Sequence, residues 1–302
     1  KLDVSILLRE IPFQVPPKGE IAGYFRRNPY MTESGTYLKH PGILFIIRQY
    51  MLSFVRQTYY ARVTGVLHYA EGNENIPVSY GVPPDRIWPT FNSPDTTALL
   101  EAYEILKETE NITKNGRKII HIGRLVPWKK TDLLIRAVSV LIKDIPDINL
   151  VIVGDGPQRK ELENLAKELG VAANVQFAGA VYKPLELGKY LMEADVYVLA
   201  GMGGLSINEA MAFGKPVICS VCDGTEKDLV LDSINGYFFR PDDVYDLADK
   251  IRQLILHPER IKKMGEASQK IIREKININT VSDRFVEAFR KVTAIKNSME
   301  EK

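Results

Sequence analysis

Three observations predict an α/β fold built on parallel sheets. Six short apolar runs rich in β-branched residues recur at Lys118 to Ile122, Asn149 to Val153, Asn174 to Phe177, Val196 to Leu199, Val217 to Cys219 and Tyr237 to Phe239. Between them the apolar residues take helical spacing, as in Leu133, Leu134, Ala137, Val138 and Leu141, then Leu162, Leu165, Ala166 and Leu169. Strands that alternate with one-sided helices make a parallel sheet covered on both faces. The third observation is size, since 302 residues leave room for two domains of roughly 150 residues each.

The best linker in the chain is the polar stretch Glu108 to Arg117, with Asn115-Gly116 near its end. It separates an amino-terminal domain, residues 1–110, from a Rossmann-like domain, residues 118–275, with ligands expected at the carboxyl ends of its strands. Residues 276–302 hold a last helix with Val281, Phe285, Val286, Phe289 and Val292 on one face, expected to return toward the first domain.

In chain order, Val4 to Leu8 is a strand, followed by an irregular passage through Pro12, Pro16, Pro17 and Pro29. Arg9-Glu10 fits a functional pair, a surface ion pair or an acceptor-side loop equally. From Pro41 to Val63 aromatic and basic residues interleave, and Arg48 ends the longest apolar run, Gly42 to Ile47, after six residues. That is too short to span a bilayer. An amphipathic helix here has two readings, one on an anionic membrane surface and one packed against a sheet. Gly65 to Ala70 and the stretch after Gly81-Val82-Pro83-Pro84 are strands, with His68 a core histidine, and a helix follows at Thr97 to Lys107.

Composition narrows the class. Apolar residues make up 45% and charged residues 26%, as in ordinary soluble domains, and a net charge of +2 without an aromatic-basic repeat does not suggest a nucleic-acid binder. Cys219 and Cys222 have C-x-x-C spacing but no second pair, so they read as packing thiols of a reducing cytoplasm. Asn111-Ile112-Thr113 matches a glycosylation acceptor, a triplet common by chance. The chain opens on Lys1-Leu2-Asp3 with neither an initiator Met nor a signal peptide, and is expected to start inside a longer protein.

Chemistry concentrates in strand-end loops. Gly123-Arg124-Leu125-Val126-Pro127-Trp128-Lys129-Lys130 places cations directly after a strand, where they can neutralise a diphosphate. It is not a Walker A loop. Gly154-Asp155-Gly156-Pro157 is a tight turn, and Gly179-Ala180-Val181-Tyr182-Lys183 offers backbone groups to a nucleobase edge. The stretch Gly201 to Val217 reads as a glycine turn, a short helix and a strand. Gly203, Gly204 and Leu205 bring backbone amides to a helix start, where phosphate is favoured. Glu209 has two readings here, one as a ribose-binding carboxylate and one as the second half of a Ser206-x-x-Glu209 capping box.

These loops, with Val175-x-Phe177-x-Gly179, Ala194-Asp195-Val196-Tyr197-Val198, Glu209-Ala210-Met211-Ala212-x-Gly214-x-Pro216-Val217 and Asn235-Gly236, occur in order over about 115 residues. Together they resemble the donor-binding domain of the retaining GT-B glycosyltransferases of family 4. The resemblance implies two Rossmann-like domains, the amino-terminal one incomplete, since a whole acceptor domain needs more strands than residues 1–110 provide. It implies that Arg124 and Lys129 carry catalysis by holding the donor diphosphate as the glycosidic bond breaks, without a metal or other cofactor. It assigns Gly123, Gly203, Gly204 and Leu205 to the donor, Glu209 to the ribose, and Tyr182 or the backbone beside it to the base.

One departure stands out. The family pattern has a second Glu eight positions before Glu209, contacting the donor sugar, where this chain has Gly201, and Gly203 stands where an aromatic residue often sits. Asp223-Gly224-Thr225-Glu226 resembles the next family loop and is a replacement contact. The expected function is transfer of a sugar from a nucleotide-diphosphate sugar to a hydroxyl of a glycan or lipid-linked acceptor, with retention, in polysaccharide or glycolipid synthesis. Location is expected in the cytoplasm, with peripheral contact at the inner membrane face. The rivals are a non-catalytic nucleotide-sugar-binding subunit and another GT-B enzyme, an epimerase or a phosphorylase.

Overall fold

The computed structural model describes residues 6–8, 30–31, 37–38, 47, 51, 54–55, 58–60 and 62–300, apart from 72–73, 75–76, 79, 110–115 and 221–225. Arg9, Glu10, most of the 108–117 linker, Cys222 and Asp223–Thr225 lie outside them. The chain divides into two units, one formed within Lys1–Asn92 and Asn279–Lys302, the other within Ser93–Cys222 and Glu226–Ile278.

The first unit has a three-stranded parallel sheet, β1 (Ile6–Leu8), β4 (Gly65–His68) and β5 (Ile87–Pro89), in the order β1-β4-β5. A short antiparallel pair, β2 (Tyr30–Met31) and β3 (Tyr37–Leu38), stands apart from it. Tyr60, Val63, Val66, Tyr80, Val82 and Ile87 form one apolar cluster, in which the Tyr60 and Tyr80 rings stack with centroids 5.2 Å apart. His68 is buried, as expected of a core histidine.

The second unit carries six parallel strands: β6 (Arg117–Ile122), β7 (Ile148–Val153), β8 (Val175–Gly179), β9 (Val196–Leu199), β10 (Val217–Ser220) and β11 (Gly236–Phe239). Their order is β11-β10-β9-β6-β7-β8. The chain thus starts in the middle, runs to one edge, and returns to build outward from β9. The reversal between β6 and β9 is a topological switch point, the place where loops diverge and a crevice opens. The strands read as nearly continuous apolar runs because both faces are covered. On one face α2 (Thr131–Leu141), α3 (Arg159–Glu168) and α7 (Val244–Ile255) bury Leu134, Val138, Leu162, Leu247 and Ile251 in the main core.

The other helices group separately. Helix α1 (Thr96–Thr109) packs on α4 (Pro184–Glu193) and α5 (Ser206–Ala212), and α8 (Pro258–Glu274) packs on α5. Two further helices are α6 (Glu226–Leu229) and α9 (Ile278–Glu300). Helix α1 buries Leu99, Ala102 and Leu106 and belongs wholly to the second unit, so the division falls ahead of it at 92/93, not in the polar stretch that follows it. An apolar helical face records that a helix is packed and not on what. Within the first unit, α9 buries Val281, Ala288 and Val292, while Val286 and Phe289 of its expected apolar face are exposed. Among the described residues no helix is long and apolar enough to cross a membrane.

The α1, α4 and α5 junction depends on Gly188, where an added Cβ would lie 2.6 Å from Leu106 Cδ1 and 2.8 Å from the Phe213 ring. Overpacking a filled core costs about 1–3 kcal/mol. Gly188→Val is expected to lower unfolding free energy by about that amount, read from the urea midpoint of unfolding.

Candidate functional site at the switch point

Two loops face each other across the reversal of strand order. After β6 the chain passes Gly123 and Arg124, closes a 3-10 turn at Pro127–Lys129, and takes a left-handed conformation at Lys130 (φ 50°) before α2 begins. After β9 it passes Gly201 to Leu205 and starts α5 at Ser206. The two loops touch through backbone. The Met202 amide donates to the Trp128 carbonyl at 2.8 Å, and a Cβ on Gly201 would stand 2.2 Å from that same oxygen and 2.6 Å from the Lys129 carbonyl carbon. Contact that close admits no side chain.

The third loop supports the first from the other side. Gly123 donates to the Val153 carbonyl at 2.9 Å, Leu125 donates to the Asp155 carbonyl at 3.0 Å and accepts from the Gln158 amide at 3.2 Å. Gly154, at φ 146°, lies so near Gly123 that a Cβ would sit 1.9 Å from the Gly123 oxygen. These contacts hold Arg124 and Lys129 on a braced loop, not a free one.

The two cations have different surroundings. Lys129 Nζ donates to the carbonyls of Met202 at 2.9 Å and Gly203 at 2.6 Å. Arg124 is exposed, and its guanidinium has no partner among the described residues. Beneath them His121 is fully buried. Its Nδ1 lies 3.0 Å from the Val198 carbonyl, which only a proton on Nδ1 can satisfy, so Nε2 accepts from the Thr131 hydroxyl at 3.4 Å. Burial holds the His121 pKa down to about 4, the Val198 contact opposing and Lys129 adding to the effect. The ring is therefore neutral at pH 7, and the positive charge of this side comes from Arg124 and Lys129.

The helix start leaves several polar groups unengaged among the described residues. Ser206 is buried and its hydroxyl bonds the Tyr197 hydroxyl at 2.7 Å, leaving it unavailable as a cap. Glu209 donates its amide to the Leu205 carbonyl at 3.1 Å. The capping box therefore does not form, because Tyr197, buried in β9, needs a partner for its hydroxyl and takes Ser206. The amides of Gly203, Gly204 and Leu205 donate to nothing among the described residues. The Glu209 carboxylate likewise has no partner among them, and burial raises its pKa above the ordinary value.

The structure thus brings Gly123, Arg124, Lys129, Gly203, Gly204, Leu205 and Glu209 to the loops after β6 and β9 and the helix start that follows. Tyr182 lies elsewhere, in the loop after β8, with 88% of its surface exposed and no bonded partner among the described residues. The supporting residues His121, Thr131, Tyr197 and Ser206 were not legible as such. In the sequence His121 and Tyr197 sit inside apolar strand runs, and only the register of their polar tips shows what they hold. Among the described residues no three His, Cys, Asp or Glu side chains converge as metal ligands would.

A doubly wound parallel sheet with its diverging loops at a switch point defines the class of open α/β architectures whose ligands lie at the carboxyl ends of the strands. The family described as glycosyl transferases group 1 matches residues 102–271, more than half of the chain, and the chain belongs to it. It is 34% identical over 161 residues to a GDP-mannose-dependent alpha-(1-6)-phosphatidylinositol monomannoside mannosyltransferase of Mycolicibacterium smegmatis, covering 50% of this chain and 42% of that one. A crystal structure of a mutant of Staphylococcus aureus TarM with fondaparinux, alpha-GlcNAc-glycerol and UDP aligns with a TM-score of 0.66 at 20% identity, over 87% of this chain and 49% of that chain. The carboxy-terminal domain of a group 1 glycosyl transferase, LpcC of Francisella tularensis, aligns along its full length with 62% of this chain, at 26% identity and a TM-score of 0.51. The fold is that of the GT-B glycosyltransferases, with a parallel sheet in each of two α/β units. The chain spans between 34% and 55% of the length of the first three curated relatives it matches.

The lone carboxylate makes a test of folding separable from binding. A carboxyl whose folded pKa is raised adds stability below its ordinary value of 4.5, and that contribution is lost as pH rises through the folded pKa. Glu209→Gln stays neutral throughout. The variant is expected to melt higher than the wild type at pH 8, with the gap closing toward pH 4, in thermal scans without ligand.

Proposed function

We propose that this protein is a retaining glycosyltransferase that takes a sugar from a nucleotide-diphosphate donor to a hydroxyl of a glycan or lipid-linked acceptor in polysaccharide or glycolipid assembly. The observation that carries this reading is the half-buried, unpaired Glu209 beside three unengaged amides and across from two cations. A desolvated carboxylate without a cation is costly unless donors arrive with a ligand. The two hydroxyls of a ribose are such donors. The amides of Gly203, Gly204 and Leu205 then donate to phosphate oxygens.

In this reading Lys129 exchanges the Met202 and Gly203 carbonyls for phosphate oxygens, and Arg124 meets the outer phosphate. Both stabilise charge that grows as the bond from the anomeric carbon to the phosphate oxygen breaks. The acceptor oxygen bonds the anomeric carbon from the face the phosphate leaves, and its proton passes to the departing phosphate. The balance of charge is met by side chains and amides, so the reaction as proposed uses no metal. Tyr182, exposed after β8, is available to a nucleobase. The reading is supported by family membership, by the mannosyltransferase name of the mycobacterial relative, and by the UDP in the TarM crystal.

Gly201 bears on the sugar. A side chain there would push the Trp128 carbonyl away and break its bond to Met202, so in this loop geometry the donor sugar is held without a carboxylate at 201. Gly201→Glu is expected to weaken nucleotide-sugar binding and lower the melting temperature instead of restoring a family contact, as measured by calorimetry and thermal scans. Tighter binding by the variant would revive the reading of Gly201 as a lost function.

The direct test is calorimetric titration of the whole protein with UDP, GDP, dTDP and ADP. Hydrogen bonds to charged groups contribute about 1.5–3 kcal/mol each, so Arg124→Ala with Lys129→Ala is expected to weaken the preferred diphosphate on the order of a hundredfold or more. Binding by none of the four removes the proposal. Binding with no transfer to any acceptor, and no free sugar or sugar phosphate formed, supports the binding-subunit rival.

A further inference from the structure

Arg159, the first residue of α3, stands beside the carboxyl end of β8. A Cβ built on Gly179 would meet, apart from its chain neighbours, one described atom within 4 Å, the Arg159 Nη1 at 3.9 Å. Space the size of a side chain is thus open over the end of β8, with a guanidinium at its edge. The Gly154 amide donates to the Gly179 carbonyl at 2.8 Å, which ties that strand end to the turn leading into Arg159.

The sequence places Arg159 four residues after Asp155 and four before Glu163. Both acids engage it. Nε donates to Glu163 Oε1 at 2.9 Å, and Nη1 donates to Asp155 Oδ2 at 3.4 Å. Asp155 is itself held, since its Oδ1 accepts from the Gly156 amide at 2.7 Å. Ion pairs at this spacing add little to a helix that is already packed, and their effect here is to fix the fork. Two of its five N–H groups are used. Nη2 engages none of the described residues, and 36% of the side chain is exposed. A long side chain anchored from both sides loses little freedom on making a further bond.

Position separates Arg159 from the cation loop. Strand β7 lies between β6 and β8, so the end of β8 is two strand spacings, about 10 Å, from the loop that carries Arg124 and Lys129. That is far enough to meet the base end of a nucleotide whose phosphates lie at the switch point. The same strand end leads into the 179–183 loop, where the proposed function seats the nucleobase, and the inference rests on that reading. An arginine has donors only. It finds no acceptor in an exocyclic amino group and matches a ring carbonyl oxygen. Guanine and uracil carry such an oxygen where adenine and cytosine carry an amino group. We propose that Arg159 determines donor specificity by donating from Nη2 to that oxygen, so that the site selects oxo bases over amino bases.

Calorimetric titration of the whole protein with UDP, CDP, GDP and ADP, repeated on Arg159→Met, tests it. In whichever ring size binds, UDP over CDP or GDP over ADP, the oxo member is expected to bind about tenfold more tightly or better. Arg159→Met is expected to bring the two members of that pair to about the same affinity by weakening the oxo member alone, with an unchanged melting temperature as the control for folding. A preference for the amino member, or a preference for the oxo member that survives Arg159→Met, overturns the inference and leaves the proposed function standing. Equal weakening of all four in the variant also overturns it, since Arg159 would then act as a charge toward the phosphates. Binding by none of the four removes both.

Discussion

The candidate site depends on backbone meeting backbone where no side chain intervenes. Gly201 lies against the Trp128 carbonyl, and Gly154 lies against Gly123. Loops at the end of a parallel sheet diverge at the switch point, and nothing in the strands themselves fixes one loop against another. The glycines supply that constraint. Met202 is bonded to Trp128 and Leu125 to the 155–158 turn, so the three loops are tied to one another through backbone. The positions of Arg124 and Lys129 then follow from packing, and a long flexible lysine is confined enough to reach two carbonyls of the facing turn.

On this frame the charged and titratable groups differ in what they meet. His121 cannot help with charge, because its proton is on Nδ1 and burial keeps the second one off. Lys129 is satisfied by carbonyl dipoles, a partner that an anion outbids. Glu209 is the group most out of place, half-buried with no donor and a raised pKa. A folded protein tolerates such a residue when binding later supplies what folding withholds, and the stability cost is carried by the rest of the core. Under the proposed function the cations and the carboxylate meet different parts of one donor, its phosphates and its ribose hydroxyls.

Much of this architecture was legible in the sequence. The six strands of the second unit follow from β-branched runs, and their ends in the structure lie within two residues of the expected ones, with Val196–Leu199 unchanged. The loops were legible because glycine and proline mark chain reversal directly. What was not legible depends on which side of an element meets which neighbour. Helix α1 carries the same apolar spacing whether it packs on the first or the second unit. Val286 and Phe289 of α9 share spacing with Val281 and yet face outward. The capping box failed for a related reason, since the motif Ser206-x-x-Glu209 is local while the partner that removes Ser206 from it lies in β9. Spacing tells which residues share a face, and only tertiary structure tells what that face sees.

Gly201 shows how these points combine. Taken alone, a glycine where a family carries an acid looks like decay, because glycine offers no contact to a ligand. In the fold the same glycine permits the approach that locks Met202 to Trp128 and confines Lys129. An acid at that position and this loop geometry exclude one another, since the first atom of any side chain would lie 2.2 Å from a carbonyl oxygen. The absence of a side chain at 201 is thus what lets the backbone bond between the two loops form. The turn that carries Gly201 cannot yield without releasing both the Met202 bond to Trp128 and the Lys129 bonds to Met202 and Gly203.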